Sequence, residues 1–119
     1  MEIGTARDAE RLLAPCFAGA EAEKLAILHL DGDRRAIAVD ERPSCDLPLR
    51  AIVRAALERE AAGLIVAHNH PSGDPTPSPE DIEATRALAE VAARLGIQLH
   101  DHLIFAGGEC TSFRALGLL

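Results

Sequence analysis

Apolar residues recur along this chain with two periods, and the points where the period changes divide it into elements. Thr5 to Phe17 carries apolar residues at helical spacing, with Thr5 and Asp8 in capping positions. Leu25 to Leu30 and Ala36 to Val39 read as strands, and Asp31-Gly32-Asp33 between them is a hairpin signal. Leu49, Ile52, Val53, Ala56 and Leu57 return to helical spacing, and Gly63 fits as the C-cap. The apolar run Leu64-Ile65-Val66-Ala67 then predicts a buried strand ending at His68. Ile82, Leu88, Val91, Ala92 and Leu95 mark a further amphipathic helix that stops at Gly96. Ile97 to Leu99 and Leu103 to Phe105 predict two short strands, Gly107-Gly108 a turn, and the last residues a short strand or cap. An α/β sheet with helices on both faces accommodates this order.

Pro71, Pro75, Pro77 and Pro79, with Ser72-Gly73-Asp74, interrupt the pattern after the buried strand. Proline continues neither a strand nor a helix interior, so the chain must turn and stiffen here. Ser78-Pro79-Glu80-Asp81 restarts it as a helix N-terminus, with serine at the N-cap, proline at the first helical position and acids in the first turn.

This punctuation puts chemistry in one place. His68 and His70 are two residues apart at a strand end, so both imidazoles project from one face and can reach one ion. Asp81, brought back on the first turn of the next helix, would complete a two-histidine, one-carboxylate set, which leaves a position open for water as catalytic zinc requires. The same donors accept iron, cobalt or manganese.

The stretch His68-Asn69-His70-Pro71, with Ser78 and Asp81 following at their spacing, resembles the JAB/MPN+ (JAMM) metalloprotease motif. It is most similar to the RadC branch. His68 to Pro75, Leu99-His100-Asp101-His102-Leu103-Ile104 and the ending Ser112 to Leu119 are each RadC-like. The resemblance implies a three-layer JAB/MPN-like (cytidine-deaminase-like) fold with a mixed sheet flanked by helices. It also implies one zinc ion held by His68, His70 and Asp81, and hydrolysis of a peptide or isopeptide bond by metal-activated water. An upstream glutamate would serve as general acid/base. Glu23 matches that position, with Glu21, two residues earlier, as the alternative if the strand begins sooner. Ser78 would donate its hydroxyl to the oxyanion while its lone pair caps the helix. Asp101 and His102 are expected to support a zinc-binding imidazole from behind rather than form a second site. His29, mid-strand, reads as a satisfied sheet histidine.

Composition narrows the alternatives. The chain has 119 residues and reads as one domain over 1–119, with an N-terminal helix within residues 1–20 and no helix-hairpin-helix unit ahead of it. A net charge of −7 and only one adjacent basic pair, Arg34-Arg35, argue against direct DNA binding by this domain. They also argue against a nuclease, although residues 68–70 spell HNH. An idle JAB-fold accessory module, tied to DNA repair or to a protein partner, is the alternative to the hydrolase. The segment Glu41 to Arg50 favours it, being shorter than in RadC-like proteins and lacking their Gly-Thr pair. No apolar run approaches the length of a membrane span, and the N-terminus lacks the pattern of a signal peptide, so the cytoplasm is the expected compartment. Cys16, Cys45 and Cys110, odd in number and widely spaced, are expected as reduced structural thiols. A homodimer stays open.

Overall fold

The computed structural model describes residues 1–43 and 46–119, which leaves Cys45 outside the described residues. Three helices and five strands follow one another as α1 (Ala6–Phe17), β1 (Leu25–Leu30), β2 (Ala36–Arg42), α2 (Leu49–Glu58), β3 (Gly63–Asn69), α3 (Pro79–Arg94), β4 (Gln98–Ala106) and β5 (Glu109–Ser112). The strands form one mixed sheet in the order β2-β1-β3-β4-β5. Only β3 and β4 run parallel, joined by the crossover through α3; the other pairs are antiparallel. Each face buries its own apolar cluster. Leu25, Ile27, Leu64, Val66 and Leu99 pack with Ile52 and Ala56 of α2 and Leu88 and Ala92 of α3. Ala26, Leu28, Leu30, Ile65, Ala67 and Leu103 pack with Ala9, Leu13 and Phe17 of α1. The result is the expected layered α/β architecture.

Local signals explain most of these elements. Thr5 and Asp8 form a reciprocal capping box at the start of α1, and Ser78 and Asp81 form another at the start of α3. β1 is buried along its whole length, as a strand covered on both faces must be.

Two expectations are corrected. Gly63 does not cap α2. That helix stops at Glu58, and Glu60 takes the left-handed conformation (φ 54°) usual for glycine there. The Ala61 N–H then reaches the Ala56 carbonyl at 2.9 Å and the Glu60 N–H the Leu57 carbonyl at 3.1 Å, the bonding pattern of a Schellman cap. Gly63 instead opens β3, where the His100 ring lies against it: a Cβ there would sit 2.5 Å from His100 Nε2. Gly63→Ala should therefore destabilise the chain by about 1–3 kcal/mol, as overpacking does. Urea unfolding of Gly63→Ala alone and combined with His100→Ala tests this, because removing the ring should recover most of the loss.

The second correction concerns β4, predicted as two strands and observed as one. Pairing with β3 runs Leu64 to Leu99 and then Ile65 to Asp101, so His100 is an extra residue in the ladder. The insertion changes which face each later side chain takes. Leu99 and His102 both face α3, whereas Asp101 and Leu103 face the α1 side.

Candidate metal centre

The candidate site lies at the C-terminal end of β3, where the sheet gives way to the proline-rich loop. His68 ends the buried run, and His70 follows it as the first residue beyond the strand. The His70 N–H bonds the Phe105 carbonyl of β4 at 2.9 Å, so its backbone continues along the sheet after β3 ends. Ser78 caps α3: its Oγ accepts from the Asp81 N–H at 3.0 Å, and its own N–H donates to Asp81 Oδ2 at 3.1 Å. This box holds the Asp81 carboxylate against the two rings. Asp81 Oδ2 is 3.3 Å from His70 Nε2 and 3.7 Å from His68 Nε2, and the two Nε2 atoms are 2.9 Å apart. These three separations bracket the edge of about 3.3 Å expected for ligands about 2.0–2.1 Å from a tetrahedral ion. His68, His70 and Asp81 could thus hold a metal ion.

Hydrogen bonds on the far side of each ring fix which nitrogens are free. His70 Nδ1 lies 2.8 Å from the Asp74 carbonyl, a pure acceptor, so Nδ1 carries the proton. Behind His68 runs a longer chain. Thr85 donates its hydroxyl to the Asp81 carbonyl at 2.6 Å, and its oxygen is left to accept from His102 Nδ1 at 2.7 Å. His102 Nε2 must then accept from His68 Nδ1 at 2.6 Å. Both metal-facing Nε2 atoms consequently present lone pairs to the same point. Two such lone pairs 2.9 Å apart repel unless a cation lies between them, and this is the structure's own test that the donor set fits one.

Electrostatics agree with neutral rings and an ionised acid. Burial pushes the His68 pKa down against the pull of Asp81, with His70 reinforcing the drop. Burial, aided by His68, lowers His102 to about 3. Burial would raise Asp81, but the Ser78 N–H, the His68 ring and the Ser78 hydroxyl outweigh it and hold the carboxyl below its usual range.

Glu23 lies with His70, Ser78 and Asp81 along a cleft of about 370 Å³. Glu21 is exposed and does not line it. The residue that sets this difference is Asn69, read from sequence only as the spacer between two histidines. Asn69 is 5% exposed; its Oδ1 accepts from the Lys24 N–H at 2.7 Å and its Nδ2 donates to the Ala22 carbonyl at 3.1 Å. One amide thereby grips the backbone on both sides of Glu23. The sequence offered only an asparagine between two candidate ligand histidines; its burial and its two backbone bonds become visible in the structure alone. Thr85 was missed for a similar reason, since a threonine on a helix face carries no mark of a ring waiting across the layer.

Asp101 does not join this group. The inserted His100 turns it to the other face, where it accepts from the His102 N–H (2.8 Å), Ser112 Oγ (2.5 Å) and the Arg114 N–H (3.0 Å). It ties down the C-terminal segment, and His102, which bonds His68 directly, is itself backed by Thr85 rather than by a carboxylate. His29 is fully buried with Nε2 2.8 Å from Asp40 Oδ2, but its Nδ1 has no partner, so it is only half satisfied. Cys16 and Cys110 are free thiols, and burial raises the pKa of both, Cys110 to about 12. Among the described residues no helix is long and apolar enough to cross a membrane.

Comparison with known proteins matches the geometry. The chain is 47% identical to a UPF0758 protein of Rhodobacter capsulatus over 102 residues, covering 82% of this chain and 48% of that protein. It is 43% identical to a UPF0758 protein of Ruegeria pomeroyi (83% of this chain, 46% of that one) and 51% identical to one of Symbiobacterium thermophilum (59% and 30%). The chain thus spans about half or less of the length of these relatives. The profile of the RadC-like JAB domain matches residues 3–118, and with the layered sheet and the His-His-Asp cluster in place, the chain belongs to the RadC-like JAB domain family.

Proposed function

We propose that the chain is a metal-dependent amide hydrolase of the JAMM type, acting on a peptide or isopeptide bond, with zinc as the ion. The observation behind this reading is that two imidazole lone pairs and an ionised carboxylate converge beside a glutamate in an open cleft. His68, His70 and Asp81 hold the ion. A divalent cation there supplies the Lewis acidity that brings the pKa of a water to about 7 and polarises the scissile carbonyl.

The protein's own groups do the rest. Glu23, held by the Asn69 amide, takes a proton from the attacking water and returns it to the leaving amine. Ser78 turns its hydroxyl proton from the Asp81 carboxylate to the developing oxyanion, while its oxygen lone pair goes on capping α3. Thr85 and His102 keep His68 in the tautomer that binds through Nε2.

Glu23→Gln tests the assignment, with new amino termini in a pool of unfolded peptides and lysine-linked isopeptides counted by mass spectrometry. Cleavage should fall by about 10²–10⁴, with metal content unchanged. Equal cleavage by native chain and variant would remove Glu23 from the chemistry. Metal without cleavage by either would favour an accessory module.

A further inference from the structure

The opposite end of the sheet carries a second constellation. Ile3, Leu30 and Ile65, all buried, floor a cavity of about 250 Å³ beside the start of β3. Ile65, the β3 residue in its lining, lies three positions from His68, about 10 Å at 3.3 Å per residue, and on the other face of the sheet. Three basic side chains from three different elements line the cavity: Arg34 from the β1–β2 turn, His100 from the β4 insertion and Arg114 from the C-terminal turn.

None of the three faces an acid. Arg34 Nη2 has His100 Nδ1 at 3.5 Å, and Arg114 spends its Nε on the His100 carbonyl at 2.7 Å, which leaves its two Nη groups. Among the described residues neither arginine forms an ion pair. The one carboxylate in the lining, Asp101, is filled by Ser112, the Arg114 N–H and the His102 N–H. The start of α1 also borders the cavity, but Asp8 already takes the Gly4 and Thr5 N–H groups, so that terminus adds nothing. Asp31, in the same turn, accepts from the Asp33 and Arg35 N–H groups and does not line the cavity.

Arg34 and Arg114 are exposed at the rim of the cavity, and His100 is half-buried between them. Arg34 sits at φ 61°, a left-handed conformation that an arginine adopts at a cost of about 1 kcal/mol, although Gly32 lies two residues away. His100 is held below its ordinary pKa by burial and by both arginines. In a chain of net charge −7, two unpaired arginines over an apolar floor are complementary to an anion with an apolar body.

We infer that this cavity is a binding site for a small organic anion, a phosphate or carboxylate group clasped by Arg34 and Arg114 with its apolar body on Ile3, Leu30 and Ile65. It is separate from the candidate metal centre and independent of its chemistry.

The experiment titrates the ¹⁵N-labelled 119-residue chain with phenyl phosphate, benzoate and inorganic phosphate, following amide shifts. Phenyl phosphate or benzoate should move the amides of Arg34, His100, Arg114 and Ile65 as one saturable set, about tenfold more tightly than inorganic phosphate. The tighter of the two names the anionic group. Arg34→Asn, which tolerates the left-handed backbone, should weaken binding about tenfold, and Arg86→Gln on the exposed face of α3 should not. Shifts spread over the surface, no saturation by any probe, or equal binding by Arg34→Asn would overturn the site.

Discussion

Replacing His70 by alanine is expected to strip the chain of its metal. Protein prepared without chelator should carry close to one equivalent of divalent ion, and His70→Ala should carry almost none, as read by elemental mass spectrometry. His70 Nε2 is the central donor of the three, 2.9 Å from His68 Nε2 and 3.3 Å from Asp81 Oδ2. Its loss leaves a pair 3.7 Å apart, which provides too few donors for a catalytic-type site. The supporting chain should give a graded result. Thr85→Val removes the hydroxyl that orients His102, frees the His68 ring to take either tautomer, and should weaken binding by about ten- to a hundredfold. Equal metal in native chain, His70→Ala and Thr85→Val would show that the ion binds elsewhere. No metal in any of them would end the hydrolase reading.

Acid should unfold the metal-free chain well before carboxylates alone would account for it. His102 is lowered to about 3 in the folded state, against 6.5 when unfolded. The unfolded chain therefore binds the proton first. Stability from this group is complete above pH 6.5 and is lost as the pH falls from there towards 3. At pH 5 the loss is about 2 kcal/mol from His102 alone. His68 and His29 are lowered by burial and push in the same direction. Asp40, held down chiefly by its bond from Arg59 against the opposing effect of burial, and Asp81 are shifted below their ordinary 3.8, so their contribution is present above that value and lost beneath it. The decline should thus begin near pH 6.5 and steepen below about pH 4. Urea midpoints in chelator at pH 7.5, 6, 5 and 4 measure it, and His102→Gln should flatten the upper part. A midpoint that stays constant from pH 7.5 to 5 would mean that the buried rings do not titrate as their surroundings dictate.

What the sequence disclosed, and what it withheld, follows from the range of each signal. The candidate ligands were legible because their spacing is local: two histidines alternate on a strand end, and Ser78 and Asp81 share a helix cap. α1, α3, β1 and β3 were legible because their faces repeat with one period. β4 was not, because the inserted His100 breaks the alternation that a strand assignment relies on, and whether a partner strand absorbs an extra residue depends on the partner. The same break put Asp101 on the wrong face. Asn69 and Thr85 escaped because their partners are 45 and 17 positions away, beyond any pattern within a single element. Gly63 was misread since glycine after a helix suggests a cap, and nothing nearby shows that a histidine 37 residues on rests against it.

The parallel pairing of β3 with β4 also governs when the centre comes into being. Parallel neighbours cannot close through a hairpin, so β3 must wait for the whole of α3 to form and fold back before it gains this partner. His68 and His70 lie before that crossover, Asp81 inside it and His102 after it. No early intermediate built from β1 and β2 contains the site, and a nascent chain halted before Gln98 lacks the ring that orients His68. An ion held by His68, His70 and Asp81 would gain its supporting ring only when β4 docks, so the rate at which a refolding chain takes up added zinc tightly is expected to follow closure of the sheet.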